Sequence, residues 1–116
     1  MTFSLTPRQQ EIGLRVHSLL RHFKLNGWMV ALVDEFQDCP DCPGYCRWAK
    51  RFIELNMSAL VNADDAQVRN VCFHEVVHAL VGEKEAHSKL FRETLTQLER
   101  CPDAARAWDT WEPHQQ

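Results

Sequence analysis

Five consecutive residues, His74-Glu75-Val76-Val77-His78, carry the most legible chemistry in this chain. On an α-helix, residues four apart stand on one face, one turn above the other. Two imidazoles so placed can reach one metal ion. Glu75 is offset by one residue, so its carboxylate stands beside such an ion, in reach of a proton on an attacking water. The H-E-x-x-H spacing is the signature of zinc-dependent peptide hydrolysis. A purely structural metal needs the histidines but has no use for the acid. Glu75 therefore favours catalysis over a catalytically silent, zinc-stabilised binding or regulatory module.

Catalytic zinc takes three protein ligands and keeps one position open. Downstream of His78 run Ala79-Leu80-Val81-Gly82-Glu83-Lys84-Glu85-Ala86-His87. Gly82 tolerates positive φ and lets the backbone turn after a helix. The chain can then bring His87 to the metal from the next element. Glu83, Glu85 and Glu93 are the rival third ligands.

The elements that must position these groups are written in capping and periodicity. Asp64 and Gln67 have capping-box spacing, and Val68, Val71, Cys72, Val76 and Leu80 recur at helical intervals. Gly82 is placed to end that helix, which predicts the motif's helix over 64–82. Thr6, Pro7 and Gln9 open an earlier helix, with Ile12, Val16, Leu19, Leu20 and Phe23 as its apolar stripe and Asn26-Gly27 as its stop. Residues 28–33 read as a strand, 34–45 as loop, and 45–55 as one or two short strands. A supporting helix is expected from about Glu85 to Arg100, burying Leu90, Phe91, Leu95 and Leu98. A short helix from Asp103 follows, with Trp108 and Trp111 packing back.

Cys39-Pro40-Asp41-Cys42-Pro43-Gly44-Tyr45-Cys46 has C-x2-C-x3-C spacing. That is half of a structural zinc site, with Cys72, Cys101 or His114 as the fourth ligand; the plainer reading is a loop of free thiols. Cys72 reads as a small buried hydrophobe. The cysteine count of five is odd, and no basic-then-apolar leader is apparent, which together lead to an expectation of a cytoplasmic, reduced protein.

With 116 residues the chain is the length of one domain, 1–116, and no apolar run is long enough to span a bilayer. Residues 1–51 carry seven Lys/Arg and five Asp/Glu, while the remainder carries six and eleven. That balance does not favour nucleic-acid binding by bulk charge. Arg15, Arg21, Lys24, Arg47, Lys50 and Arg51 offer either a local basic patch or, on the plainer reading, ordinary solvated charge.

His74 to Gly82, followed by His87-Ser88-Lys89-Leu90-Phe91, resembles the SprT-like zinc metallopeptidase family. Its members carry an H-E-x-x-H helix, a later third histidine and an aromatic four residues beyond it, the place Phe91 holds. Gly44-Tyr45-Cys46 and Arg51-Phe52-Ile53-Glu54-Leu55-Asn56 are similar to the family's strand region. Ser88-Lys89 departs from the small pair that many relatives have after the third histidine. The resemblance implies an α+β, zincin-like fold: an N-terminal helix, a small mostly antiparallel sheet, the metal helix and a supporting C-terminal helix. It implies a zinc-dependent endopeptidase with Zn2+ on His74, His78 and His87, Glu75 as general base, and a protein or peptide substrate added to an edge strand. Tyr45 would either steady an oxyanion or, more simply, pack. The chain is expected to stop before the added zinc- or DNA-binding segments of larger, DNA-associated relatives, like compact phage- or prophage-encoded forms. A DNA-associated role is carried as an alternative.

Overall fold

The structure is a computed structural model, and it describes residues 5–111. Helix α1, Pro7–His22, opens as its sequence requires. The Thr6 hydroxyl accepts from the Gln9 amide and the Gln9 side chain accepts from the Thr6 amide, a complete capping box. Ile12, Val16, Leu19 and Leu20 form its buried stripe. The helix ends before the expected Asn26-Gly27 stop, because Lys24 takes a left-handed φ of 57°. The Leu25 amide then bonds to the Leu20 carbonyl and the Lys24 amide to that of Arg21, the Schellman pattern that closes a helix.

Strand β1 spans Met29–Val33, β2 Gly44–Arg47 and β3 Phe52–Asn56. They form one sheet in the order β1-β3-β2. β2 and β3 are antiparallel, with Gly44 opposite Leu55, but β1 and β3 run parallel, with Val30 opposite Ile53. The α+β class is the one observed; the sheet is mixed rather than mostly antiparallel. The hairpin sends β3 back alongside β1 in the same direction, a pairing between distant segments that no local pattern encodes.

Asn56 caps a short helix, α2, Met57–Leu60. The motif's helix, α3, spans Asp65–Val81 and begins with the expected Asp64/Gln67 capping box. It packs against α1, against β2 and against α4, Lys89–Glu99. Being enclosed on several sides, it buries Val68, Cys72, Phe73, Glu75, Val76, Val77 and His78.

The supporting helix is shorter than predicted. A 3-10 turn over Glu83–Glu85 intervenes, and Ser88 caps α4 by accepting from the Phe91 amide. With the helix phased from Lys89, Phe91, Leu95 and Leu98 share the inner stripe. Leu90, one position before that stripe, is exposed rather than buried. Helix α5, Pro102–Asp109, packs on α1 and buries Trp108, whose ring meets Phe73 edge-on. Arg15 lies over the rings of both Trp108 and Trp111. No helix among the described residues is long and apolar enough to cross a membrane.

Candidate metal and catalytic site

His74 and His78 stand one turn apart on α3, and their Nε2 atoms are 3.1 Å apart. Gly82, at φ 89°, ends the helix and turns the chain into the 3-10 segment. His87 follows with φ 59°, a left-handed conformation uncommon for a residue with a Cβ. That backbone swings its imidazole over the helix, with its Nε2 3.2 Å from that of His74. The Arg92 guanidinium donates to the His87 carbonyl at 3.1 Å.

Three imidazoles converging on one point through Nε2 fit a tetrahedral cation. Zinc–nitrogen bonds of about 2.0–2.1 Å set neighbouring ligand atoms roughly 3.3–3.4 Å apart. The observed 3.1 and 3.2 Å spacings lie close to that, and the ligand atoms of all three residues fall within 4.8 Å of one another. Neutral imidazoles each carry one donor and one acceptor, so three Nε2 atoms meeting at this distance are better matched to a shared cation than to each other.

Phe91 is the floor of the cluster. It is buried, and its ring centroid lies 4.9, 4.4 and 5.2 Å from those of His74, His78 and His87. Trp48 holds the other side: its indole N–H donates to the His78 carbonyl at 2.9 Å, and its ring stands edge-on to the imidazole. The Nδ1 of His78 is buried without a hydrogen-bond partner among the described residues. Metal-ligating histidines usually have that nitrogen oriented by a carboxylate or carbonyl; here packing by Phe91 and Trp48 orients the ring.

Glu75 lies beside Gly44 at the start of β2 and is only 5% exposed. Burial pushes its carboxyl up to about 7. Burial, reinforced by the neighbouring imidazoles, lowers His78 to about 4, and burial with His87 lowers His74. The two helix imidazoles therefore favour the neutral, ligating form. Cys46 lies near the same carboxyl; burial and then Glu75 push its thiol up to about 12, which leaves it unreactive.

Among the described residues, the only cluster of metal-ligating side chains is His74, His78 and His87. Glu83 and Glu85 stay on the 3-10 turn, and Glu93 lies 3.7 Å from Lys89. Tyr45 is on the opposite face of β2 from Gly44 and Cys46, because side chains alternate along a strand. It packs against Phe36 and under Arg47, which pairs with Glu54. Packing, not an oxyanion, is its environment. The cysteine loop does not gather thiolates: Cys39 and Cys42 are joined as a disulfide, while Cys46 and Cys72 are free and buried. His114 lies outside the described residues.

The family model for the SprT-like family matches residues 18–109. The chain belongs to the SprT-like family. That match covers the histidine cluster, Glu75, Phe91 and the whole sheet. No curated protein and no solved structure matches the chain. Within this SprT-like site, sequence reasoning missed three contributors. Trp48 left no local signal. Asn56 stands before Met57-Ser58-Ala59-Leu60 as a helix cap would, a signal that was there to read. Gly44 sits in a Pro/Gly loop pattern that says turn, whereas its role is close approach to Glu75.

Proposed function

We propose that this SprT-like chain is a zinc-dependent endopeptidase. The observation that carries the reading is the convergence of three Nε2 atoms on the helix that also carries a buried carboxylate, Glu75, one residue from His74 and beside the edge strand. His74, His78 and His87 would hold the ion. When bound, zinc supplies a Lewis acid that makes water a competent nucleophile near neutral pH and polarises a carbonyl.

The chain's own residues do the rest. Glu75 accepts the proton of the attacking water and passes it to the leaving amine. Its raised affinity for protons, caused by burial, suits it to both halves of that transfer. β2 is an edge of the sheet and lies along α3, so one side of it is open for an extended peptide among the described residues. A substrate added there is held by main-chain hydrogen bonds, which favours broad sequence tolerance. Phe91 and Trp48 hold the imidazoles, so little reorganisation accompanies the reaction.

Glu75→Gln tests this. It keeps the side chain's size and leaves the histidines intact, so zinc content should be nearly unchanged. Loss of a general base typically lowers rate about 10²–10⁴-fold. Autocleavage and cleavage of an unfolded protein, each with and without single-stranded DNA, are the assays. A variant that keeps full biological effect, from a parent that cleaves nothing under any condition, would replace this reading with a zinc-stabilised binding module.

A further inference from the structure

Asn56 is a fully buried polar side chain, far from the imidazoles in sequence and on a different element. Its Nδ2 donates to the Pro40 carbonyl at 2.8 Å and to the Cys42 carbonyl at 3.0 Å. Its backbone N–H donates to the Pro43 carbonyl at 2.9 Å, and its Oδ1 accepts from the Ala59 amide. Three successive anchor points, at residues 40, 42 and 43, thus end on one residue. The next residue in the chain is Gly44, opposite Leu55 in the sheet and so near the Glu75 side chain that a Cβ there would come within 3.1 Å of it.

We infer that Asn56 is a positioning residue for Glu75: it fixes the 39–43 loop so that β2 begins with Gly44 seated against the carboxylate. The inference rests on the proposed role of Glu75 as base. The disulfide between Cys39 and Cys42 closes the same loop on itself but does not tie it to the sheet; Asn56 supplies that tie. With both amide hydrogens spent on loop carbonyls, no other buried donor replaces them cheaply, since a carbonyl stripped of its partner inside a protein is costly. The start of β2 then becomes free to move relative to α3. A shift of about 1 Å in a catalytic group can cost on the order of 10²-fold in rate.

Asn56→Ser and Asn56→Asp test it in the zinc-loaded protein. Both side chains are good helix caps, so α2 keeps its start. Neither can donate to the Pro40 and Cys42 carbonyls as the amide does. The first readout is hydrogen exchange, which needs no activity. Faster exchange over Gly44–Arg47, with His74–His78 and zinc content unchanged, is expected. The second is peptide cleavage, where kcat should fall about 10- to 100-fold with KM little altered. Adding either substitution to Glu75→Gln should cost no further rate, because the group being positioned is already gone. Unchanged exchange in β2, exchange raised equally in α3, or a further tenfold loss on top of Glu75→Gln each overturns the inference. A Glu75→Gln variant as active as the parent, or a parent without activity, overturns the proposed function instead, and the exchange result still decides whether Asn56 holds β2.

Discussion

Gly44 lies so close to Glu75 that a Cβ at position 44 would sit 3.1 Å from the Glu75 Cγ and 3.2 Å from its Oε2. The backbone carbonyl of Glu54 lies 3.2 Å from the same point, so the added carbon is pinched from two sides. Glu75 is buried and the Glu54 carbonyl belongs to the sheet, so neither yields freely. Gly44→Ala should displace the carboxylate by a few tenths of an ångström while leaving the histidines alone. The expected result is near-normal zinc content with kcat lowered about 10- to 100-fold. Elemental analysis alongside peptide cleavage checks it; full activity in Gly44→Ala would mean the contact has no bearing on the base.

His87→Ala should remove most of the affinity for zinc. The left-handed backbone at 87 is no easier for alanine than for histidine, so stability without metal should change little. A ligand present at a thousandfold above its Kd adds about 4 kcal/mol to a folded state that alone binds it. Zinc should therefore raise the parent's melting temperature by several degrees and leave that of His87→Ala almost unmoved. If His87→Ala holds zinc as tightly as the parent, and Glu83→Ala, Glu85→Ala or Glu93→Ala does not, the third ligand is an acid.

Protonation gives a prediction with a definite sign. The Glu75 carboxyl is raised by burial from 4.5 to about 7. Its contribution to stability is present below about 4.5 and is lost as pH rises through about 7. His78, lowered from 6.5 to about 4, acts at the other end: stability is lost as pH falls through that interval, with His74 shifted in the same direction. Removing the carboxylate should thus help the metal-free protein only on the alkaline side. Glu75→Gln is expected to be more stable than the parent by on the order of 2 kcal/mol at pH 8 and no more stable at pH 4. Urea unfolding in the presence of a chelator measures both.

The cysteine loop separates a disulfide from a second metal site by counting. Three free cysteines and the Cys39–Cys42 disulfide predict three titratable thiols in denaturant without reductant, and five after reduction. Zinc should be about one per chain, carried by the histidines. Two zinc per chain, falling to one in Cys39→Ser/Cys42→Ser, would return the loop to a metal site.

Much of this protein was determined by its sequence alone because the relevant physics is local. Capping boxes act over three residues, so Thr6/Gln9 and Asp64/Gln67 announce their helices wherever those helices later pack. The i, i+4 spacing of His74 and His78 is a property of any α-helix, and the offset of Glu75 follows from the same geometry. Gly82 could be read as a helix end because positive φ is cheap for glycine alone.

What only the tertiary structure decided involves segments that meet across the fold. The parallel pairing of β1 with β3 depends on where a hairpin returns, which periodicity does not specify. His87 reaches the other two imidazoles through a left-handed φ that histidine does not advertise. Leu90 and Phe91 are adjacent apolar residues, and the Ser88 cap sets the phase that exposes one and buries the other. Asn56, Gly44 and Glu75 lie on three different elements, and their contacts exist only once β3, the 39–43 loop and α3 have packed. A helical motif names a base and two ligands, but the position of that base is set by side chains and carbonyls brought together by folding.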